Sequence, residues 1–399
     1  TRDGHLLAVC TQLATRAPAV FLLDAGSGAT LDTLQVTPGQ LFGGVYPYLD
    51  HRDRLHIVDG DHDLLRVAVQ TGDAGGPRLI VEDRIPLAGA IAADCGSPPC
   101  DGVVGLAPDH DGRVWFATDL GTVGTVDPDT GRVETLALPG GERVGNSLAT
   151  AREGAAVVTD HALYLLRADA AGAPVIVFRA AYDRGPARKP GQLTHGSGAT
   201  PTFFGPESGS EYLAITDNAR PVMNLLVFRA DASAELVCEE PIPAPAGLGS
   251  ENSPIGAGQS VIVASTYGYP YPALPTGAPP SDPGTAPLLG GIARLDVVEG
   301  GRGCELAWTL ELRSAAVPKL SLADRLVYTV ERTAAPSDGG APAADGYALA
   351  VIDPEAGEVR ARHPLPGIAD TLQLAGTVAP GRVFLQGTLT GLVRVAAAP

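Results

Sequence analysis

At 399 residues the chain is too long for one ordinary sandwich, and no break in composition marks a division into separate compact units. Its 45 acidic against 28 basic residues leave a formal charge of −17, a field that repels phosphate backbones and anionic lipid, so nucleic acid and membrane surfaces are excluded as partners. No apolar run approaches the roughly 18 residues that span a bilayer, and a soluble chain is expected.

Hydrophobic residues make up 45% of the sequence with only 1 Met, so Val, Ile, Leu and Ala must fill the core. The 50 Gly and 35 Pro lie scattered between short apolar runs, as turns do in a many-stranded chain. From the amino terminus, the run Val20–Leu23 leads through Asp24-Ala-Gly-Ser-Gly28 into Thr30–Val36. The clearest strand unit follows at Gly105–Thr118, where Asp111-Gly112 is a tight-hairpin pair. It continues through Gly121–Gly131, ending in Asp127-Pro-Asp-Thr-Gly131, a type I turn with a bulge, and into Val133–Leu138. The Asp-x-x-x-Gly turn returns at Asp353–Gly357, between the runs Ala348–Ile352 and Glu358–Arg362.

Candidate first strands begin near Gly44, Val103, Asn146, Gly198, Asn252, Pro318 and Leu372, roughly 40–65 residues apart, an interval that suits four-stranded blades rather than solenoid turns. The prediction is an all-β fold: a single β-propeller domain over residues 1–399 with about seven four-stranded blades, each covering its neighbour's apolar face. Leu6–Val36 and Leu372–Val395 each hold about three strands. They either share a closing blade or form two, which keeps six and eight blades open. Two Pro- and Gly-rich segments without periodicity, Tyr267–Leu289 and Thr333–Asp345, are expected as surface insertions. The first carries Tyr267, Tyr269 and Tyr271 and is expected to lean over an axial opening.

Five cysteines are present: Cys10, Cys95, Cys100, Cys238 and Cys304. Cys95-Gly-Ser-Pro-Pro-Cys100 closes a small loop, and Cys238 and Cys304 each lie near an expected strand, so two disulfides and one free thiol are expected. That implies a secreted or extracytoplasmic protein. The chain starts at Thr1 without a charged, apolar leader, and a signal peptide is expected to have been removed.

No nucleophile elbow, zinc-protease helix, phosphate loop or dinucleotide fingerprint occurs. Polar residues instead gather where first strands begin: Gly145–Ser147, Thr194–Pro201, Thr216–Ala219 and Ser250–Pro254. In a propeller these starts lie at the channel mouth, where side chains distant in sequence converge. His195 is the candidate for proton transfer, because imidazole titrates near neutrality. Glu251 supplies a carboxyl, and Lys319, one of two lysines, lies at an expected strand start where burial would demand a carboxylate partner. Asn146, Asp217, Asn218 and Asn252 offer hard oxygen donors suited to calcium, with turn capping as the plainer role for such residues. His51, His56 and His62, alternating with acids, read as a solvated loop. Trp115 and Trp308 read as core.

With those strand-start asparagines and acids, the chain resembles the calcium-dependent propeller hydrolases of the gluconolactonase, paraoxonase and strictosidine-synthase-like group; quinoprotein-like and Vgb-like propellers are the alternative resemblance. The first resemblance implies an axial calcium ion held by Asn146, Asn218 and Asn252 with Asp217 or Glu251, polarising a lactone or ester carbonyl. The expected function is then a hydrolase or lactonase acting on a small molecule, as a monomer. A metal-free propeller lyase or isomerase, and a non-enzymatic module binding protein or glycan, are the alternatives.

Overall fold

The computed structural model describes residues 1–11, 18–38, 46–72, 76–91, 101–275, 277–298, 300–333 and 346–396. Within them the chain forms eight sheets, each built from consecutive strands. The first holds β1 (His5–Thr11), β2 (Pro18–Asp24) and β3 (Thr30–Gln35). The second holds β4 (Tyr48–Leu49), β5 (Leu55–Val58), β6 (Asp63–Gln70) and β7 (Arg78–Pro86), and the third β8 (Val103–Pro108), β9 (Val114–Thr118), β10 (Thr122–Val126) and β11 (Val133–Ala137). In the fourth are β12 (Val144–Ala151), β13 (Gly154–Thr159), β14 (Ala162–Ala168) and β15 (Pro174–Ala181). The fifth consists of β16 (Thr202–Phe204), β17 (Tyr212–Thr216), β18 (Asn224–Arg229) and β19 (Leu236–Pro241), and the sixth of β20 (Ile255–Ala257), β21 (Ser260–Ala264), β22 (Ile292–Val297) and β23 (Cys304–Leu310). β24 (Lys319–Ser321), β25 (Leu326–Arg332), β26 (Tyr347–Asp353) and β27 (Glu358–Pro364) make the seventh, and β28 (Thr377–Ala379), β29 (Val383–Thr388) and β30 (Gly391–Ala396) the last. No helix among the described residues is long and apolar enough to cross a membrane.

The expected count of about seven blades is therefore corrected to eight. All seven expected strand starts lie within a few residues of a first strand, β4 through β28. Of the two arrangements left open for the chain ends, the second is found: among the described residues β1–β3 pair with one another and so do β28–β30, as two separate three-stranded sheets. The Asp-x-x-x-Gly turns form as read. Gly28, Gly131 and Gly357 each donate to the carbonyl of the Asp four residues earlier, at 2.8–2.9 Å, with φ of 72°, 72° and 69°, where L side chains are strained.

The chain comprises two compact units, Thr1–Thr159 with Tyr164–Phe178, and Asp160–Leu163 with Arg179–Pro399. In the first, Val20, Leu22, Ile57 and Val67 form one core, and Leu64, Leu87, Val114 and Phe116 another. Second strands such as β9 and β17 are buried at every position, because both of their faces are covered, so they read as unbroken apolar runs. Outer strands such as β3 alternate or lie exposed. In the second unit Phe204, Ala214, Val227, Val261 and Leu295 pack together, each large side chain contributing about 1.5–3 kcal/mol by burial. A disulfide joins Cys238 in β19 to Cys304 in β23. Cys95 and Cys100 lie outside the described residues, and Cys10 is free and exposed. Of the second insertion, residues 334–345 also lie outside the described residues.

Register explains how the second unit assembles a polar end. Thr202 pairs with Ala214, so the end of β17 lies beside the residues leading into β16. Ile255 pairs with Ile262, which brings the residues after Ala264 beside Glu251 and Asn252. Entries to first strands and exits from second strands thus share one end of each sheet.

Candidate functional site

Gln192, buried in the segment before β16, organises the polar end of the second unit. Its Nε2 is shared among the Gly196 carbonyl at 3.3 Å, Asn218 Oδ1 at 3.2 Å and the Ser250 carbonyl at 3.2 Å. Its Oε1 accepts from the Lys189 amide at 2.8 Å. One side chain therefore joins three of the segments singled out in the sequence. Around it, Arg188 donates to the Gln192 carbonyl at 2.5 Å and the Pro279 carbonyl at 2.7 Å. Lys189 Nζ donates to the Ala219 carbonyl at 2.6 Å, and burial pushes this ammonium down to about 8, opposed by nearby Asp217.

The insertion Tyr267–Leu289 is bound to the same unit along its length. Besides the Arg188 bond to Pro279, the Asp282 amide donates to the Arg188 carbonyl at 2.9 Å, and the Tyr269 hydroxyl donates to Asp370. The Arg332 guanidinium, paired with Asp370, stands 5.1 Å from the Tyr269 ring centroid and 5.9 Å from that of Tyr347.

Three of the side chains proposed for calcium, Asn146, Asp217 and Asn218, have their oxygens engaged in the protein's own hydrogen bonds. Asp217 Oδ1 accepts from the amides of Ala219 at 3.1 Å and Asn224 at 2.6 Å, and its Oδ2 accepts from Asn224 Nδ2 at 2.7 Å. Burial raises this carboxyl, with the Asn224 bonds opposing. Asn218 Nδ2 donates to the carbonyls of Arg184 and Ala187, while its Oδ1 takes the Gln192 proton. Asn252 Nδ2 donates to Gln373 Oε1 at 3.2 Å. Asn146 belongs to the first unit, where its Oδ1 accepts from the Tyr46 hydroxyl and the Ser147 amide. No group of three His, Cys, Asp or Glu side chains among the described residues is disposed to hold a metal ion. As placed, this donor set does not fit calcium, which needs six to eight oxygens free to point at it.

His195 has both ring nitrogens in use. Nδ1 faces Arg184 at 3.2 Å and Nε2 faces the Gly185 carbonyl at 3.0 Å. A guanidinium only donates, so Nδ1 accepts and the ring proton sits on Nε2. Arg184 also reaches His161 Nε2 at 2.8 Å and Asp160 at 3.2 Å. Lys319, expected to be buried, is exposed at the first position of β24. The expected solvated loop around the other histidines is corrected as well. His56 is buried, facing Asp50 at 3.1 Å and stacked on Tyr48, and His62 Nε2 lies 2.9 Å from the Asp101 carbonyl.

Glu251 differs from these groups. Its side chain is buried and its Oε2 has no hydrogen-bond partner, while Oε1 accepts a long bond of 3.4 Å from the Thr194 hydroxyl. Burial pushes the carboxyl up to about 8, against the Leu193 and Thr194 amides and the Arg188 charge. A Cβ at Gly198 would lie 2.3 Å from Oε2, so the chain closes against the acid at a glycine with φ of 68°.

No family model matches the chain. An uncharacterized protein of Archaeoglobus fulgidus is 33% identical over 144 residues, 34% of this chain and 27% of that protein, so the match spans about a quarter of the relative. Among solved structures, the β-propeller domain of Cps50 (Swd1) from Myceliophteria thermophila is 11% identical, with a TM-score of 0.50 over 91% of this chain and 98% of that one. The dihydro-heme d1 dehydrogenase NirN is 16% identical, with a TM-score of 0.53 over 96% of this chain and 68% of that one. The fold they share with this chain is the β-propeller. Lactonase propellers are also among the structural neighbours. The periplasmic gluconolactonase PpgL of Pseudomonas aeruginosa is 16% identical, with a TM-score of 0.47 over 99% of this chain and 92% of that one, a likeness that says nothing of activity.

Sequence reasoning found the segments of this site but missed Gln192, Arg188 and Lys189. The signal available was Lys189 itself, one of two lysines in a chain whose other basic residues are arginines.

Proposed function

We propose that the second unit carries a hydrolase-like site for a small neutral or cationic ester or lactone, with Glu251 as the general acid. The observation that supports it is the buried Glu251 carboxyl, raised by burial to about 8, with one oxygen that no described residue hydrogen-bonds. Such an acid protonates a leaving oxygen as water adds to the carbonyl carbon. The new C–O bond forms from water, the ester C–O bond breaks, and a proton of the attacking water restores the carboxyl. Calcium has no part in this reading, because the oxygens of Asn146, Asp217 and Asn218 serve the protein's own hydrogen bonds. His195 then acts as a positioning residue that holds Arg184. The same acid would suit a metal-free lyase or isomerase, distinguished by a product that has gained no water. The Cys238–Cys304 bond supports an oxidising, extracytoplasmic setting.

The test is turnover of a panel of small neutral and cationic lactones and esters by the purified chain. Glu251→Gln keeps the shape but cannot deliver a proton, so kcat should fall about 100-fold in a variant at least as stable as the wild type. Wild-type turnover should decline as pH rises through about 8, where the acid form disappears, and chelators should leave it unaltered. Retained turnover in Glu251→Gln overturns the acid role. A second reading, a binding module, is favoured by the full engagement of Asp217, Asn218 and His195. It predicts no turnover of any panel member but a melting-temperature rise with a bound ligand.

A further inference from the structure

Among the described residues of the second unit, Ser197 Oγ, Thr216 Oγ1 and Glu251 Oε2 are buried side-chain atoms without a hydrogen-bond partner, as are several atoms elsewhere in the unit. Ser197, Thr216 and Glu251 are 0%, 0% and 6% exposed. Buried polar atoms nearly always have a partner, so three without one in a single neighbourhood point to a common cause.

The topology places them together. Gln192 Nε2 touches the Gly196 carbonyl, the Ser250 carbonyl and Asn218 Oδ1. Ser197 directly follows the first of these residues, Glu251 directly follows the second, and Thr216 precedes the third by two positions. On β17, Tyr212 and Ala214 face the core that contains Val261 and Val263 of the next sheet. Strand alternation puts Thr216 on that same face, at the end where Glu251 enters the sheet. Gly198, beside Ser197, lies against Glu251 Oε2.

We propose that Ser197, Thr216 and Glu251 together bind one internal water molecule, and that this water relays the Glu251 proton to the substrate. The chemistry selects water: a neutral carboxyl donates to it, two hydroxyls accept from it or donate to it, and three polar partners are what a buried water commonly has. A relay suits the site because Oε2 is itself closed to solvent. In the step, the carboxyl O–H breaks and its proton passes to the held water, which passes one of its own protons to the leaving oxygen. The proton released by the attacking water returns by the same route. Binding of the water rests on the burial of these three atoms and the meeting of the segments that carry them, whereas the relay rests on the hydrolase reading above.

The carbonyl stretch of protonated Glu251, identified in the infrared spectrum by its loss in Glu251→Gln, tests both parts. Ser197→Ala and Thr216→Val should each move the band to higher frequency and lower kcat about tenfold at constant KM, and Thr216→Ser should restore both. If Thr216→Val fails to fold, Ser197→Ala, which trims a single atom, serves as the test. A band that moves in neither variant, or no protonated band at pH 7, overturns the shared site. Band movement with unchanged turnover overturns the relay. Band movement in a chain that hydrolyses nothing leaves the water site standing and removes the hydrolase reading.

Discussion

Asp101 in the first unit and Glu251 in the second are both buried carboxyls held above the usual carboxylate range, yet their surroundings give them different work. Asp101 is pushed up to about 6, first by burial and further by the neighbouring Asp119 carboxyl. Both of its oxygens have partners: Oδ1 accepts from the Leu120 amide at 2.9 Å and Oδ2 from the Thr118 hydroxyl at 2.8 Å. Asp119 reciprocates, accepting from the Gly102 amide at 2.9 Å and from Arg143 at 2.8 Å. The pair is a clasp between the entry to β8 and the turn after β9. Glu251 is as well buried but keeps an oxygen to itself. Burial raises either acid, and leftover hydrogen-bonding capacity separates a structural carboxyl from one available for chemistry.

The largest test of this contrast asks whether the two units respond separately. Replacing Cys238 and Cys304 by alanine opens a 66-residue loop and should lower stability by about 4 kcal/mol. Limited proteolysis should find the new cleavage sites in the second unit, and equal loss of protection in both units would break the contrast. Gly198→Ala should cost about 3 kcal/mol by urea unfolding, through its clash with the acid and its strained φ. Gly112→Ala in the first unit, with φ of 88° but nothing within 4 Å of its Cβ, should cost only about 1 kcal/mol.

Smaller effects come from pH. Both acids hold a proton more tightly folded than unfolded, so each adds stability on the acid side that declines as pH rises from the unfolded to the folded value. For Glu251 that window runs from the ordinary 4.5 to about 8, and Glu251→Gln should remove the decline across it. For Asp101 the window runs from 3.8 to about 6, and Asp101→Asn should remove the shorter decline across it. Unfolding midpoints measured across both windows check the two variants, and a variant whose pH profile matches the wild type would show that its carboxyl is not raised.

Local features were the most legible in the sequence. The turns at Asp24, Asp127 and Asp353 could be placed because an Asp oxygen accepting from the amides just ahead of it, with Gly at positive φ, needs no distant partner. The segments of the site were legible for a related reason: Thr194–Pro201, Thr216–Ala219 and Ser250–Pro254 are polar stretches bordering apolar strands. The roles of individual residues were harder to read. His195 looked available because neither Arg184 nor the Gly185 carbonyl is marked as its partner by any spacing, and Lys319 drew attention that Lys189 better deserved.

By itself the amino-acid sequence determined the all-β character, the turn positions and the first-strand starts, since backbone chirality and the two-residue strand period act between near neighbours. Tertiary structure alone decided that the chain ends form two sheets, that the Asn146 and Asn218 oxygens are taken, and that one Glu251 oxygen is not taken among the described residues. Those outcomes depend on which donors meet which acceptors across tens of residues, and a buried hydrogen bond is settled only when both partners have lost their water.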